Sequence, residues 1–271
     1  MTEQAKTSLP RVLFLGYGRM GSALGEAWLK AGLVAGIDAV DPHLDAPVQA
    51  QVFRATTELT DTPHELIVLA VKPAMAREAL QSLPAERLKT ATVLSVMAGV
   101  PISTLEAALP TARPVVRSMP NTPVMVGQGC TGLFGNAQLT PTMRAAIDQL
   151  FHAVGKAFWV KDETQLHAVT ALSGSGPAYY HLFSEALADA AIKLGLPREM
   201  AIEMAAQTAL GAATLQNQAG ADFVALRQAV TSPNGTTHAA IVRFEEDGAL
   251  RQLVEAAATR ACRRSEELAG S

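Results

Sequence analysis

Cysteine is scarce in this chain: Cys130 and Cys262 are the only two in 271 residues. Two thiols are too few for a disulfide framework or a thiolate metal cluster, and they suit a reducing compartment. An excess of one charge sign is lacking too. The 22 Lys+Arg and 25 Asp+Glu leave a formal net charge of -3, with no Lys/Arg block. That balance argues against a nucleic-acid face and offers no polybasic patch to an anionic membrane. Long apolar runs are absent: the longest, Leu66 to Val71, falls far short of a membrane span. The opening "MTEQAKTSLP" has no cationic n-region, and the apolar run behind it stops at Gly16, so no secretory signal and a cytoplasmic location are expected. The six histidines are scattered without an H-x-x-x-H or a carboxylate cluster, so no metal site is expected.

What remains is an apolar, weakly charged chain: 49% hydrophobic and 17% charged, enough to bury a core. A small molecule is the expected partner. Single cores stop growing near roughly 250 to 300 residues, so two domains are expected here. Strand-length apolar runs at "VLFL", "GIDAV", "ELIVLAV", "ATVLSV" and "PVVRSM" alternate with helix-compatible segments. That alternation implies a mostly parallel sheet. Two further strands, "CTGLF" and "KAFWV", flank a helix expected to begin after Thr140, with Pro141 in its first turn. From about Gln165 the period changes to 3.6 residues and strands cease. The fold class is therefore α/β followed by all-α, with a boundary after 164; the motifs below make 1–164 a Rossmann-like dinucleotide-binding domain and 165–271 a helical dimerisation and substrate domain. The helical stripes are rich in alanine, including Ala186, Ala190, Ala205, Ala209 and Ala213. Alanine buries little area, so a homodimer of intertwined helices is expected.

"GYGRMG" places Gly16, Gly18 and Gly21 in the G-x-G-x-x-G pattern between a strand and a helix. Gly16 permits the tight turn, Gly18 lets a pyrophosphate approach the backbone, and Gly21 lets the helix pack on the sheet. The helix N-terminus adds free N–H groups. At the end of the second strand stands Asp41, suited to accept from the ribose 2′-OH of NAD. His43 follows it and could meet a 2′-phosphate.

"AVKPAM", "MAGVP" and "MPNTP" close strands, and in an open α/β sheet ligands bind outside the carboxyl ends of the strands. Lys72, Met97 and Asn121 are the side chains of note in them, each expected to contact the cofactor. "LSGSGPAYY" opens a helix with Pro177 in its first turn. It reads equally as a cap over a nicotinamide or as a boundary turn. "VTSPNGTTH" breaks a helical run with a Pro-Asn-Gly turn, exposing backbone N–H groups where a carboxylate can bind. Thr236 and Thr237 add hydroxyls, one of which could instead serve as an N-cap. His167, His181 and His238 have no partner in the sequence that would make them proton shuttles, and Tyr179 and Tyr180 read as interface or core.

With these motifs in this order, the chain resembles the pyrroline-5-carboxylate reductase family from Val12 to about Leu268. The resemblance implies reduction of L-1-pyrroline-5-carboxylate to L-proline, NADPH as cofactor with NADH as an alternative, and dimers that often assemble into a decamer. It puts cofactor contacts on Leu15, Gly16, Tyr17, Gly18, Arg19, Met20 and Gly21, on Ala70, Val71, Lys72 and Pro73, and on Val96, Met97 and Ala98. Substrate contacts fall on Ser232, Asn234, Gly235, Thr236 and Thr237, with Thr237 expected to meet the ring nitrogen. Asn234 stands where a second glycine is usual, Thr57 where a cofactor-touching asparagine is common, and Asp222-Phe223 where His-Pro often precedes the loop. Cyclic-imine reduction needs a hydride donor, a protonated nitrogen and a carboxylate anchor, so the lack of a carboxylate dyad or Ser-His pair agrees with it. A β-hydroxyacid dehydrogenase is the main enzymatic alternative, but its lysine on the long boundary helix is missing; only Lys193 lies there, at the far end. A nucleotide-sensing regulator would need no organised anion loop.

Overall fold

A computed structural model of the chain describes residues 9–44 and 47–270. It divides into two units, one running to Ser175 and resuming at Ala261, the other spanning Gly176–Arg260.

The first unit is built on an eight-stranded sheet. In chain order its elements are β1 (Val12–Leu15), α1 (Arg19–Lys30), β2 (Ile37–Val40), β3 (Gln51–Phe53), β4 (Leu66–Leu69), α2 (Ala76–Gln81), α3 (Ala85–Leu88), β5 (Thr92–Ser95), α4 (Ile102–Ala108), β6 (Val115–Met119), β7 (Gly129–Gly135), α5 (Pro141–His152), β8 (Gly155–Trp159) and α6 (Gln165–Val169). The strands lie in the order β3-β2-β1-β4-β5-β6-β7-β8, and only β6 and β7 pair antiparallel. All four residues of β1, β4 and β5 are buried. Helices on both faces explain why these strands read as continuous apolar runs. One face of the core gathers Phe14, Trp28 and Phe151, with ring centroids 5.6 and 5.9 Å apart along the series. β3 escapes a sequence reading because it is a three-residue edge strand with a single buried side chain, Phe53.

Order reverses between β1 and β4: the chain steps outward through β2 and β3, then crosses to the other side of β1. Such a switch point leaves a crevice at the carboxyl ends of the two strands. "GYGRMG" and "AVKP" start there, immediately after Leu15 and Leu69.

The expected boundary after residue 164 and the observed unit boundary differ, and the packing of α6 explains why. Leu166 is buried, and the Val169 and Leu166 side chains lie so close to Gly132 of β7 that a Cβ there would stand 2.6 and 3.2 Å from them. After α6 the helix widens into one π-turn over Thr170–Gly174, with Ser175 N–H donating to Thr170 O at 2.8 Å. "LSG" thus closes a widened turn, and α7 starts directly behind it at Gly176 with Pro177 in its first turn, as expected. The unit ends only when that turn is complete.

The second unit holds α7 (Gly176–Lys193), α8 (Arg198–Gln216), α9 (Phe223–Ala229), α10 (Thr236–Glu245) and most of α11 (Ala249–Ala269). Its buried cluster is Ala188, Ala201 and Ala205. Around them large apolar side chains stand open: Leu182, Met204, Leu210 and Val254 are each more than half exposed, and Leu253 is 68% exposed. The last turns of α11 belong to the first unit. There Ser265 is buried and its Oγ lies 2.9 Å from His167 Nδ1, and the Leu268 Cβ would stand 3.2 Å from a Cβ on Gly99. His167 therefore has a structural partner.

Candidate functional site

The nucleotide-side geometry starts at Gly16. Its φ of +84° is open to glycine at little cost, and a Cβ there would stand 2.7 Å from the carbonyl oxygen of Ala70. That close approach brings the β1 and β4 loops together. Gly21 is under similar pressure, with the Gly16 carbonyl oxygen 2.9 Å from a notional Cβ. Gly18 differs: nothing lies within 4 Å of where its Cβ would be. Open space over the middle glycine is the room a phosphate group needs, so the turn fits a dinucleotide.

Gly18 is also the N-cap of α1 and receives no side-chain cap. The first helical bond runs from Ser22 N–H to Gly18 O at 2.9 Å. Among the described residues the N–H groups of Gly18, Arg19, Met20 and Gly21 have no acceptor, and they sit at the positive end of a twelve-residue helix. Arg19 is exposed beside them, while Met20 is half-buried against the core.

Tyr17 lies elsewhere than its place in the motif suggests. Its ring is fully buried, edge-on to Phe14 at 5.1 Å, and its Oη donates to Glu26 Oε1 at 3.0 Å. Burial, reinforced by the Glu26 carboxylate, pushes the phenol far above its ordinary range, so it stays protonated. The side chain is core; only the Tyr17 backbone borders the turn. Asp41 accepts the Tyr17 N–H at 2.8 Å through Oδ2 and the His43 N–H at 3.0 Å through Oδ1. Thr57 is exposed in a 3-10 turn over Thr56–Glu58.

Across the crevice, Ala70 and Val71 are half-buried, Lys72 and Pro73 are exposed, and Pro73 starts a 3-10 turn that closes β4. Among the described residues the Lys72 ammonium has no partner, so it stands as a free cation at the strand end. At the end of β5, Met97 is buried, Val96 half-buried and Ala98 exposed; Met97 N–H donates to Ser95 Oγ at 3.2 Å. Asn121 departs from its expected role as a direct cofactor contact. Its Nδ2 donates to Ser173 O at 2.9 Å and its Oδ1 accepts the Cys130 N–H at 2.9 Å, so both ends of the buried amide are used internally. It ties "MPNTP" to the π-turn and β7. A Cβ on Gly174 would lie 2.6 Å from Met119 Cε, which marks the same close packing.

Sequence reasoning passed over Arg117 and Glu163. Arg117 Nη1 donates to Glu163 Oε1 at 2.6 Å, and the same oxygen accepts the Ile102 N–H at 2.8 Å. This pair ties β6 and the start of α4 to the segment before α6. A charge inside an apolar strand, "VVRSM", was its one visible signal.

In the helical unit, Ser232 O accepts the Gly235 N–H at 3.0 Å, closing a turn with Pro233 and Asn234 at its centre. Asn234 has φ of 60°, and proline at the preceding position cannot take a positive φ, so the turn is of type II form. Gly235 is the N-cap of α10 and receives no side-chain cap. Thr236 and Thr237 occupy the first two helical positions, so neither is the N-cap. The first helical bond is from Ala239 N–H to Gly235 O at 3.1 Å. Among the described residues, the N–H groups of Thr236, Thr237 and His238 and both threonine hydroxyls have no hydrogen-bond partner. Asp222 caps α9, its Oδ1 accepting the Ala225 N–H at 2.7 Å, and Phe223 is exposed. Among the described residues no group of His, Cys, Asp and Glu could hold a metal ion, and no helix is long and apolar enough to cross a membrane.

A dinucleotide crevice at a topological switch point, followed by an alanine-rich helical unit with an anion-ready loop, defines a nucleotide-dependent oxidoreductase with a helical dimerisation domain. Comparison with known proteins gives the particular family. The family described as pyrroline-5-carboxylate reductase dimerisation matches residues 163–268, and the family described as NADP oxidoreductase, coenzyme F420-dependent, matches 11–99. The pyrroline-5-carboxylate reductase of Pseudomonas aeruginosa is 42% identical over 97% of this chain and 98% of its own length. That of Methanosarcina acetivorans is 39% identical over 95% and 97%. Among solved structures, the pyrroline-5-carboxylate reductase of Coxiella burnetii has a TM-score of 0.87 at 35% identity, covering 95% of this chain and 97% of that one. The Plasmodium falciparum pyrroline carboxylate reductase, solved with NADP bound, has a TM-score of 0.84 at 28% identity, covering 96% and 98%. The chain belongs to the pyrroline-5-carboxylate reductase family.

Proposed function

We propose that this chain carries out the NAD(P)H-dependent reduction of L-1-pyrroline-5-carboxylate to L-proline, the last step of proline biosynthesis, as a cytoplasmic homodimer. One observation carries the assignment of the substrate site: three N–H groups and two hydroxyls without a partner among the described residues at the first turn of α10, presented by a turn that holds Asn234 at positive φ. Converging N–H groups at a helix start recognise a carboxylate, and the substrate has one.

The nucleotide, when bound, supplies the hydride. This chain's residues do the rest. Gly18, Arg19, Met20 and Gly21 offer backbone N–H groups to a pyrophosphate. Ala70, Val71, Lys72, Val96, Met97 and Ala98 line the strand ends that face the rest of the nucleotide, with Lys72 contributing positive charge. In the loop, Ser232, Asn234, Gly235 and Thr236 hold the carboxylate, and the Thr237 hydroxyl hydrogen-bonds the ring nitrogen as it becomes an amine. A protonated imine is already electrophilic and takes its proton from water, so orientation accounts for much of the rate. Asn121 acts indirectly, through the backbone it braces. The domain limits proposed for this division of labour are 1–164 and 165–271, by the dimerisation match that begins at residue 163, although α6 packs with the first unit.

The test is Thr237→Ala. Turnover of pyrroline-5-carboxylate should fall by about 10- to 100-fold, the loss expected for one hydrogen bond used in the transition state, while NADPH affinity by fluorescence titration is kept. Unchanged turnover removes Thr237 from the reaction.

A further inference from the structure

Rossmann-type sites carry an acidic residue at the end of the second strand, where it reads the ribose 2′-OH and repels a 2′-phosphate. Asp41 occupies that place, yet its carboxylate is already engaged. Oδ1 accepts the His43 N–H at 3.0 Å, an Asx turn across Pro42 that fixes the side-chain direction. Oδ2 then accepts the Tyr17 N–H at 2.8 Å, inside the glycine turn itself. Tyr17 is fully buried, so with Asp41 in place its N–H has no solvent to turn to. The ends of the strut are anchored as well. Asp41 N–H donates to Phe53 O at 3.0 Å, and Arg54 Nη1 donates to Pro42 O at 3.1 Å and Leu44 O at 3.0 Å.

We propose that Asp41 is a positioning residue: it holds the Gly16–Gly21 turn in its anion-binding shape and does not select between NADH and NADPH. The inference rests on the dinucleotide reading of the crevice. Two backbone N–H groups spread the carboxylate's charge over charge-assisted bonds, and the Arg54 guanidinium sits on the same loop, so the acid's usual penalty against a 2′-phosphate is blunted. The Tyr17 N–H is spent on Asp41. The phosphates are therefore left to the unpaired N–H groups from Gly18 to Gly21, whose aim depends on how the Asp41 strut sets the turn.

Asp41→Ala and Asp41→Asn test this. In each variant NADH and NADPH affinities are measured by fluorescence titration without substrate, and KM and kcat for both cofactors with pyrroline-5-carboxylate. Asp41→Ala should weaken both cofactors by about tenfold or more, since the buried N–H loses its only acceptor. The ratio of the two affinities should stay within about threefold of wild type, with kcat little changed. Asp41→Asn keeps one acceptor oxygen and should show a smaller loss, again equal for both. Weakening of NADH alone, with NADPH unchanged or tighter, overturns the proposal and makes Asp41 the ribose reader. Unchanged affinity for both overturns it too, as does a parallel fall of kcat and of melting temperature in both variants. If wild type binds both nucleotides but turns over no pyrroline-5-carboxylate, the substrate reading fails while the binding arm still decides the role of Asp41.

Discussion

At position 234 the backbone requires φ near 60°, and an asparagine meets the demand. Asparagine enters the left-handed region more readily than other residues with a Cβ, but less readily than glycine. Asn234→Gly should therefore keep turnover and leave stability within about 1 kcal/mol of wild type, whereas Asn234→Val forces a β-branched side chain into that region. For the valine variant the KM for pyrroline-5-carboxylate should rise by about tenfold or more, with NADPH affinity unchanged. Equal kinetics for glycine and valine would show that the turn is unimportant to the substrate. The sign of φ at Asn234 was legible only through the resemblance, since Ser-Pro-Asn-Gly suits a type I turn as well as a type II turn. The fates of Tyr17 and Asn121 were not legible at all. Both sit inside motifs, and a motif gives the position of a backbone but not the direction of each side chain. The tyrosine ring had a core of Phe14 and Trp28 to fill, and the Asn121 amide had Ser173 O and Cys130 N–H to satisfy.

Among elements, the sheet was readable to the extent that its strands are buried on both faces. β1, β4 and β5 announce themselves as apolar runs; β3 has one buried residue and does not. The glycine turn was likewise visible, and its physical requirement is sharp: Gly16→Ala places a Cβ 2.7 Å from the Ala70 carbonyl in an unfavourable φ region, so nucleotide binding should be lost by titration even where the fold survives. Invisible in the sequence was the polar network at the opposite end of the strands. Asp38 is buried, accepting from Arg11 Nε at 2.9 Å and lying 2.8 Å from His64 Nε2, while Arg87 Nη1 stands 3.4 Å from His64 Nδ1. Nothing but a charge inside "GIDAV" hinted at it. Burial holds the His64 pKa below its ordinary 6.5, outweighing Asp38, with Arg87 and Arg11 adding to the downward shift. The folded state thus resists a proton that the unfolded chain accepts, so stability falls as pH drops below about 6.5 toward the lowered folded-state pKa. His64→Gln removes the titrating group. Melting temperature followed from pH 7.5 to 5 should then decline less steeply in the variant than in wild type; identical slopes would assign the acid sensitivity to other groups.

Taken whole, the molecule pairs a well-filled sheet unit with a helical unit that cannot stand on its own packing. Three buried alanines in residues 176–260 give little hydrophobic stabilisation, while Leu253, Leu210 and Val254 stay more than half exposed. Tyr180, at 69% exposure, belongs to the same excess of open apolar surface. So many open apolar side chains suit a unit matched by a family described as dimerisation. Alanine periodicity raises the same expectation from sequence, since small residues let helices approach closely without closing a core. A second copy covering this surface would make stability depend on concentration, because dissociation and unfolding would become one process. The melting temperature should rise with protein concentration across the micromolar range. Leu210→Glu combined with Leu253→Glu should shift the mass in solution toward one chain and lower the melting temperature by about 10 °C or more, as two charges in an apolar interface would. Turnover should collapse with it while the sheet unit keeps its affinity for NADPH. A wild-type monomer with a melting temperature independent of concentration would sink the dimer, and would leave the exposed leucines of α8 and α11 without a physical explanation.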